Sequence, residues 1–90
     1  MNDKTYSVGF TNAALKELAR LDRASQVRVL KATKLLATHP RPPSAKRLKS
    51  SHEMWRIRVG DNRVIYTLDD EHRVVTVAKI GHRSSVYRGL

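Results

Sequence analysis

Hydrophobic and polar positions alternate over Tyr6-Ser7-Val8-Gly9-Phe10, which places Tyr6, Val8 and Phe10 on one side of a short strand. The period then changes. Ala14, Leu15, Leu18 and Leu21 recur at helical spacing with Lys16, Glu17 and Arg20 on the outer side, predicting an amphipathic helix over 12–21 capped by Thr11 or Asn12. After a polar break at 22–25, a longer helix is expected over about 24–38. Its inward stripe is Gln26, Val29, Leu30, Thr33, Leu36 and Ala37, with Arg28, Lys31 and Lys34 solvated. The two helices should form an antiparallel hairpin. His39-Pro40-Arg41-Pro42-Pro43 ends the second helix, because proline cannot continue it and pushes its predecessor toward extended backbone. Residues 44–51 read as a basic loop with Leu48 as its anchor to the core.

Alternation returns at Trp55-Arg56-Ile57-Arg58-Val59 and continues after Gly60-Asp61 through Asn62-Arg63-Val64-Ile65-Tyr66. A two-residue turn of type II′ requires positive φ at its first central position, which Gly60 supplies, and it sets Val59 opposite Asn62. Counting back, Arg58 faces Arg63, Ile57 faces Val64, Arg56 faces Ile65 and Trp55 faces Tyr66. One side of this hairpin is Trp55, Ile57, Val64 and Tyr66, expected beneath the helices as core. The other is Arg56, Arg58, Arg63 and Ile65. Like charges directly opposite each other destabilise a sheet, so folding alone does not call for Arg58 beside Arg63, and an anion would relieve the repulsion. Asp69-Asp70-Glu71-His72 reads as a polar turn and Arg73 to Ile80 as the last strand. If Asp69 pairs with His72, Tyr66 meets Val75, Val64 meets Val77 and Arg63 meets Ala78. The expected architecture is therefore α+β: one small domain over 1–90, with an N-terminal strand, a two-helix hairpin and a three-stranded antiparallel meander, the helices packed on one sheet face.

Composition narrows the chemistry. The formal net charge is +10, from 18 Lys and Arg against 8 Asp and Glu, which points to nucleic acid, an acidic protein partner, or both. Membrane is not an expected partner, because the basic residues do not lie opposite an exposed apolar helical face and no apolar run is long enough to cross a bilayer. The absence of cysteine excludes disulfides and thiolate metal sites, and the four histidines lack zinc spacing. No signal peptide is apparent near the start, so a cytoplasmic protein is expected. His39 and His72 are expected to be exposed loop or turn residues.

Several guanidiniums on one sheet face suit a phosphodiester backbone, since arginine stays charged at every relevant pH and its planar fork bonds phosphate oxygens bidentately. Tyr87 offers a ring on which an unpaired base can stack, which favours single-stranded nucleic acid over duplex. RNA carries its own nucleophile, the 2′-hydroxyl, so its cleavage needs in-line positioning, charge stabilisation and proton transfer but no metal or cofactor. Guanidinium does not readily deprotonate, which leaves Tyr87, His82, Lys46 and Lys49 as the side chains able to move protons.

The succession of strand, helix hairpin and meander resembles the RelE toxins of the RelE/ParE superfamily over nearly the whole chain. Lys46-Arg47-Leu48, Trp55-Arg56-Ile57-Arg58-Val59, Asn62-Arg63-Val64-Ile65-Tyr66, Asp69-Asp70-Glu71 and Gly81-His82-Arg83-Ser84-Ser85-Val86-Tyr87 carry the resemblance. It implies a type II toxin and a metal-independent endoribonuclease that cleaves messenger RNA in the ribosomal A site through the 2′-hydroxyl, inhibiting translation. The implied partners are a cognate acidic antitoxin, the ribosome with its A-site messenger, and the 16S rRNA backbone. By position, the resemblance implies a catalytic set of Arg56, Arg58, Arg63, Arg83 and Tyr87. Lys46, Arg47 and Lys49 of the basic loop and His82 near the arginine face are expected to bind RNA. Arg56 and Arg58 stand where members of the family often have lysine, and they are assigned to binding and charge stabilisation. Arg63 is assigned to the scissile phosphate, Arg83 to the phosphate or leaving-group oxygen, and Tyr87 to stacking. The general base is open between Tyr87 and His82. Two other classes remain: a gyrase-directed toxin of the ParE branch on the same fold, and a basic nucleic-acid-binding module without toxicity.

Overall fold

Local capping sets the helices. Thr11 Oγ1 accepts from the Ala14 amide at 3.1 Å and starts α1 (Asn12–Ala19), while Asp22 Oδ1 accepts from the Ser25 amide at 3.2 Å and starts α2 (Arg23–Leu35). The computed structural model describes residues 5–48 and 53–82. Both helices end earlier than their apolar periodicity, because the chain tightens into turns at Leu21 and at 36–38, where amides bond carbonyls three residues back. Gln26 Nε2 donates to the Leu18 carbonyl at 3.1 Å, tying α2 to the open end of α1.

Among the described residues, five strands form one sheet in the order β1-β5-β4-β3-β2. These are β1 (Ser7–Phe10), β2 (Lys46–Arg47), β3 (Met54–Val59), β4 (Asn62–Asp69) and β5 (Val74–His82). β1 runs parallel to β5, and the remaining pairs are antiparallel. The α+β architecture and the meander agree with the sequence reading. The basic loop differs: within it, Lys46 and Arg47 pair with Arg56 and Trp55 and add a short edge strand. Among the described residues of this segment Ala45 packs against the core, while Leu48 is half-buried.

The core lies between the helices and one sheet face. Ala14 from α1, Val29 from α2, Leu36 just beyond it, and Ile57, Val64, Tyr66, Val75, Val77 and Ile80 from the sheet are buried together, with Tyr6, Val8, Phe10 and Trp55 packed around them. Leu15 and Leu30, expected inside, are about half exposed at 48% and 46%. Each lies roughly 100° around its helix from the neighbouring inward residue, so the stripe that docks is narrower than the apolar pattern allowed.

The β3–β4 register matches the sequence reading pair by pair, from Trp55 opposite Tyr66 to Val59 opposite Asn62. Gly60 has φ +61°, while Asp61 stays at negative φ, as a type II′ turn requires. The β4–β5 register does not match. Asp69 pairs with Val74, leaving a four-residue loop in which Asp69 Oδ1 accepts from the His72 amide at 3.1 Å and Arg73 closes the turn at φ +56°. Asp70-Glu71 offers no glycine for the tight two-residue alternative. The longer loop moves Tyr66 from Val75 to Val77, and a bulge between the Ile65 and Tyr66 pairs moves Val64 to Ile80 and Arg63 to Gly81.

Candidate nucleic-acid interface

Strand parity sorts the predicted site residues. Lys46, Arg56, Ile65 and Lys79 form one cross-strand row over β2, β3, β4 and β5, and Arg58, Arg63 and Gly81 form the next. Both rows lie on the sheet face away from the helices, since Ile57, Val64 and Ile80, at the alternate positions, are in the core. The structure thus brings Lys46, Arg56, Arg58 and Arg63 together and adds Lys79. No acidic side chain stands in either row. Within β4 the carboxylate on this face is Asp69, six residues or about 20 Å along the strand from Arg63 and bonded to His72, while Asp61 sits in the turn two residues before Arg63.

Burial gives the face its electrostatic character. Ile65 is fully buried although it points away from the helices, so water is excluded from the floor of this face. Arg63 is half-buried, and its Nε is shielded from solvent without a hydrogen-bond partner among the described residues. A buried donor on a charged group is costly to leave unmade, and an anionic oxygen would satisfy it. Arg58 directly opposite is exposed.

Two sequence assignments change. Arg47 pairs with Trp55, on the alternate parity to Lys46, and its Nη2 lies 3.9 Å from Glu53 Oε1. His82 pairs with Asn62 on the parity of Ile80, so it ends β5 toward the helix side of the sheet, away from the arginine rows. In both cases a one-residue step along a strand reverses the face. Lys49, Arg83 and Tyr87 fall outside the described residues. The residue that sequence reasoning missed is Lys79. Strict alternation from Val75 and Val77 would bury Lys79 and expose Ile80; that conflict was the available signal for a bulge.

A second polar cluster is structural. Arg41 lies 5.2 Å from the Trp55 ring centroid and donates to both carboxylate oxygens of Asp70, at 3.2 and 2.7 Å, and to Glu53 at 3.4 Å. Tyr6 Oη donates to Asp70 at 2.5 Å, and Trp55 Nε1 donates to Glu53 at 2.9 Å. The hydrogen bonds from Arg41 and Tyr6 hold the Asp70 carboxyl below its ordinary range, and the bond from Trp55 does the same for Glu53. Tyr66 is buried, which pushes its hydroxyl up to about 12, and it donates to the Pro40 carbonyl at 2.7 Å. These contacts fasten the proline-rich segment to the core and leave Arg41 engaged by carboxylates. His39 and His72 are exposed, as the sequence indicated. The described residues bring together no group of three His, Cys, Asp or Glu able to hold a metal ion, and none of their helices is long and apolar enough to cross a membrane.

The family model described as the ParE toxin of the type II toxin-antitoxin system, parDE, matches residues 8–87. A protein of Escherichia coli named as a RelE-like toxin is 36% identical over 86 residues, covering 91% of this chain and 90% of the relative. A protein of Methanocaldococcus jannaschii named as toxin RelE1 is 30% identical, covering 92% and 96%. Among solved structures, the archaeal RelE-RelB complex from Pyrococcus horikoshii contains a chain that superposes with a TM-score of 0.79 at 28% identity, covering 88% of this chain and 96% of that one.

Proposed function

This chain belongs to the RelE/ParE superfamily of toxins from type II toxin-antitoxin systems, and on that premise we propose that it is an endoribonuclease cleaving messenger RNA in the ribosomal A site. The observation that carries this reading is the Arg58–Arg63 pair, two like charges directly opposite each other, with no acidic residue among the positions of either cross-strand row. Such a pair opposes folding and favours an anionic ligand.

In the proposed reaction the 2′-oxygen forms a bond to phosphorus while the bond from phosphorus to the 5′-oxygen breaks. The 2′-hydroxyl proton departs, a proton is delivered to the leaving oxygen, and a 2′,3′-cyclic phosphate remains. Charge grows on the non-bridging oxygens. Arg63, with its desolvated Nε, and Arg58 beside it neutralise that charge, whereas Arg56 and Lys46 hold the flanking backbone. Because these donors are fixed by the sheet, little reorganisation is needed as charge develops. The sequence adds Arg83 for the phosphate or leaving oxygen, Tyr87 for stacking on the nucleotide, and Lys49 for the RNA backbone.

An antitoxin partner is supported by the helical surface. Leu15, Val27, Leu30 and Leu35 are exposed on α1 and α2, Leu35 to 63%, with Lys16, Lys31 and Lys34 on the same two helices. A segment that combines apolar and acidic residues matches that surface. The Pyrococcus relative was solved with RelB.

The test is to add the purified protein to a translating system and map the messenger ends. Cuts within codons that require ribosomes support the reading, and intact messenger at toxin levels that arrest growth overturns it. The match to the ParE family model favours a second reading, inhibition of DNA gyrase. A supercoiling assay run in parallel decides for it if supercoiling stops while messenger stays whole.

A further inference from the structure

β5 carries a cation onto the arginine face only because its alternation is broken. In Val74-Val75-Thr76-Val77-Ala78-Lys79-Ile80, Val75 and Val77 are fully buried in the core, and a regular strand would send Lys79 in after them and Ile80 out. Instead Tyr66 pairs with Val77 and Ile65 with Lys79, so Ala78 is the extra residue of a bulge. Ile80 enters the core, and Lys79 takes the place opposite Ile65.

Side chains from outside the sheet hold this irregularity on both sides. Glu17 Oε1 of α1 accepts from the Ile80 amide at 2.8 Å, and Thr11 Oγ1 donates to the Ala78 carbonyl at 3.0 Å. The bulge is thus anchored more than 60 residues away in sequence. Its consequence on the other face is positional. Lys79 is the diagonal neighbour of Arg63, which faces Gly81 across the same pair of strands. Diagonal neighbours lie about 7 to 8 Å apart, within reach of long side chains. Gly81 itself adds no side chain beside Arg63. From Lys46 to Lys79 the first row crosses three inter-strand steps, about 14 Å.

Resting on the proposed RNA cleavage, we infer that Lys79 is a further substrate-binding residue, which contacts the phosphate adjacent to the one held by Arg63 and Arg58. The RNA then runs across the strands, with its second phosphate at β5. Two consecutive phosphates are engaged, so the strand is fixed at two points about the reacting linkage.

The experiment uses single-stranded oligonucleotides with methylated 2′-oxygens, which cannot be cleaved, as a dinucleotide with one phosphate and a trinucleotide with two. Wild-type protein is expected to bind the trinucleotide more tightly. Lys79→Ala should remove most of that difference while leaving dinucleotide binding nearly unchanged, and it should lower the slope of log affinity against log salt for the trinucleotide by about 0.7. Lys79→Arg should restore both, and Arg63→Ala should weaken both ligands. Lys79→Gln, which keeps the aliphatic stem, gives the same reading if the alanine variant melts early. Wild type binding the trinucleotide no more tightly than the dinucleotide, or Lys79 variants with an unchanged slope beside an affected Arg63→Ala, would overturn the inference. If Arg63→Ala is also without effect on either ligand, the arginine face itself is not the phosphate site.

Discussion

Replacing Glu17 by alanine perturbs the bulge without touching the arginine face. The Glu17 carboxylate is the acceptor for the Ile80 amide at 2.8 Å, and Ile80 is only 2% exposed, so water cannot readily replace it. A buried donor that loses its acceptor costs about 1 to 3 kcal/mol, with charged acceptors toward the upper end. Alanine has the better helix propensity, which returns a few tenths of a kcal/mol within α1. The expected net loss is therefore about 2 kcal/mol. For a domain of this size that corresponds to a melting temperature lower by roughly 8 to 16 °C. Glu17→Gln retains an oxygen acceptor of similar length and should recover more than half of the loss. Urea denaturation followed by circular dichroism, with unchanged m values, measures both variants. A loss below about 0.5 kcal/mol for the alanine variant, or equal losses for both, would refute the anchoring role.

Three further outcomes follow from the same contacts. Arg58→Ala removes one of two like charges and should leave folding stability unchanged or raise it by up to about 1 kcal/mol, while slowing cleavage; a clear loss of stability in denaturant melts would mean that the pair is not repulsive. Asp70 has its folded pKa below the unfolded value near 4, chiefly through Arg41, so its stabilisation is complete above about pH 4 and is lost as pH falls through the lower folded value. Asp70→Asn should flatten the acid limb of the stability profile, and an unchanged limb would contradict the network. Tyr66→Phe deletes the bond to the Pro40 carbonyl and should cost about 1 kcal/mol by thermal melt. The Tyr66 hydroxyl is raised to about 12, so its stabilising share is present below about pH 10 and fades as pH rises toward the folded value. A pH-independent difference between the two proteins over that range would be inconsistent with this assignment.

How far the sequence carried the reading depended on whether local signals were sufficient. Gly60 sits where a type II′ turn needs it, so the β3–β4 register and the Arg58–Arg63 pair could be counted from the turn outward. Thr11 was among the expected caps, and it does cap α1. The β4–β5 register could not be counted in the same way, because the loop closes on Arg73 in the left-handed region and the bulge is stabilised by Glu17 and Thr11 from distant positions. Two residues, Lys46 and Arg47, are too few to show alternation, so β2 read as a loop. Both are therefore expected from sequence to bind RNA, whereas the strand's parity sets only Lys46 opposite Arg56. Leu15 and Leu30 fit helical stripes by spacing, yet only the docking angle of each helix selects which flank of a stripe is covered.

The rate at which Arg63→Ala cleaves messenger bound in the ribosomal A site, under single-turnover conditions, tests the proposed cleavage most directly. A fold-intact variant slower than wild type by about 10²- to 10³-fold, equivalent to roughly 3 to 4 kcal/mol of transition-state stabilisation, is the predicted result. A rate within about threefold of wild type would contradict the claim that this face stabilises the reacting phosphate.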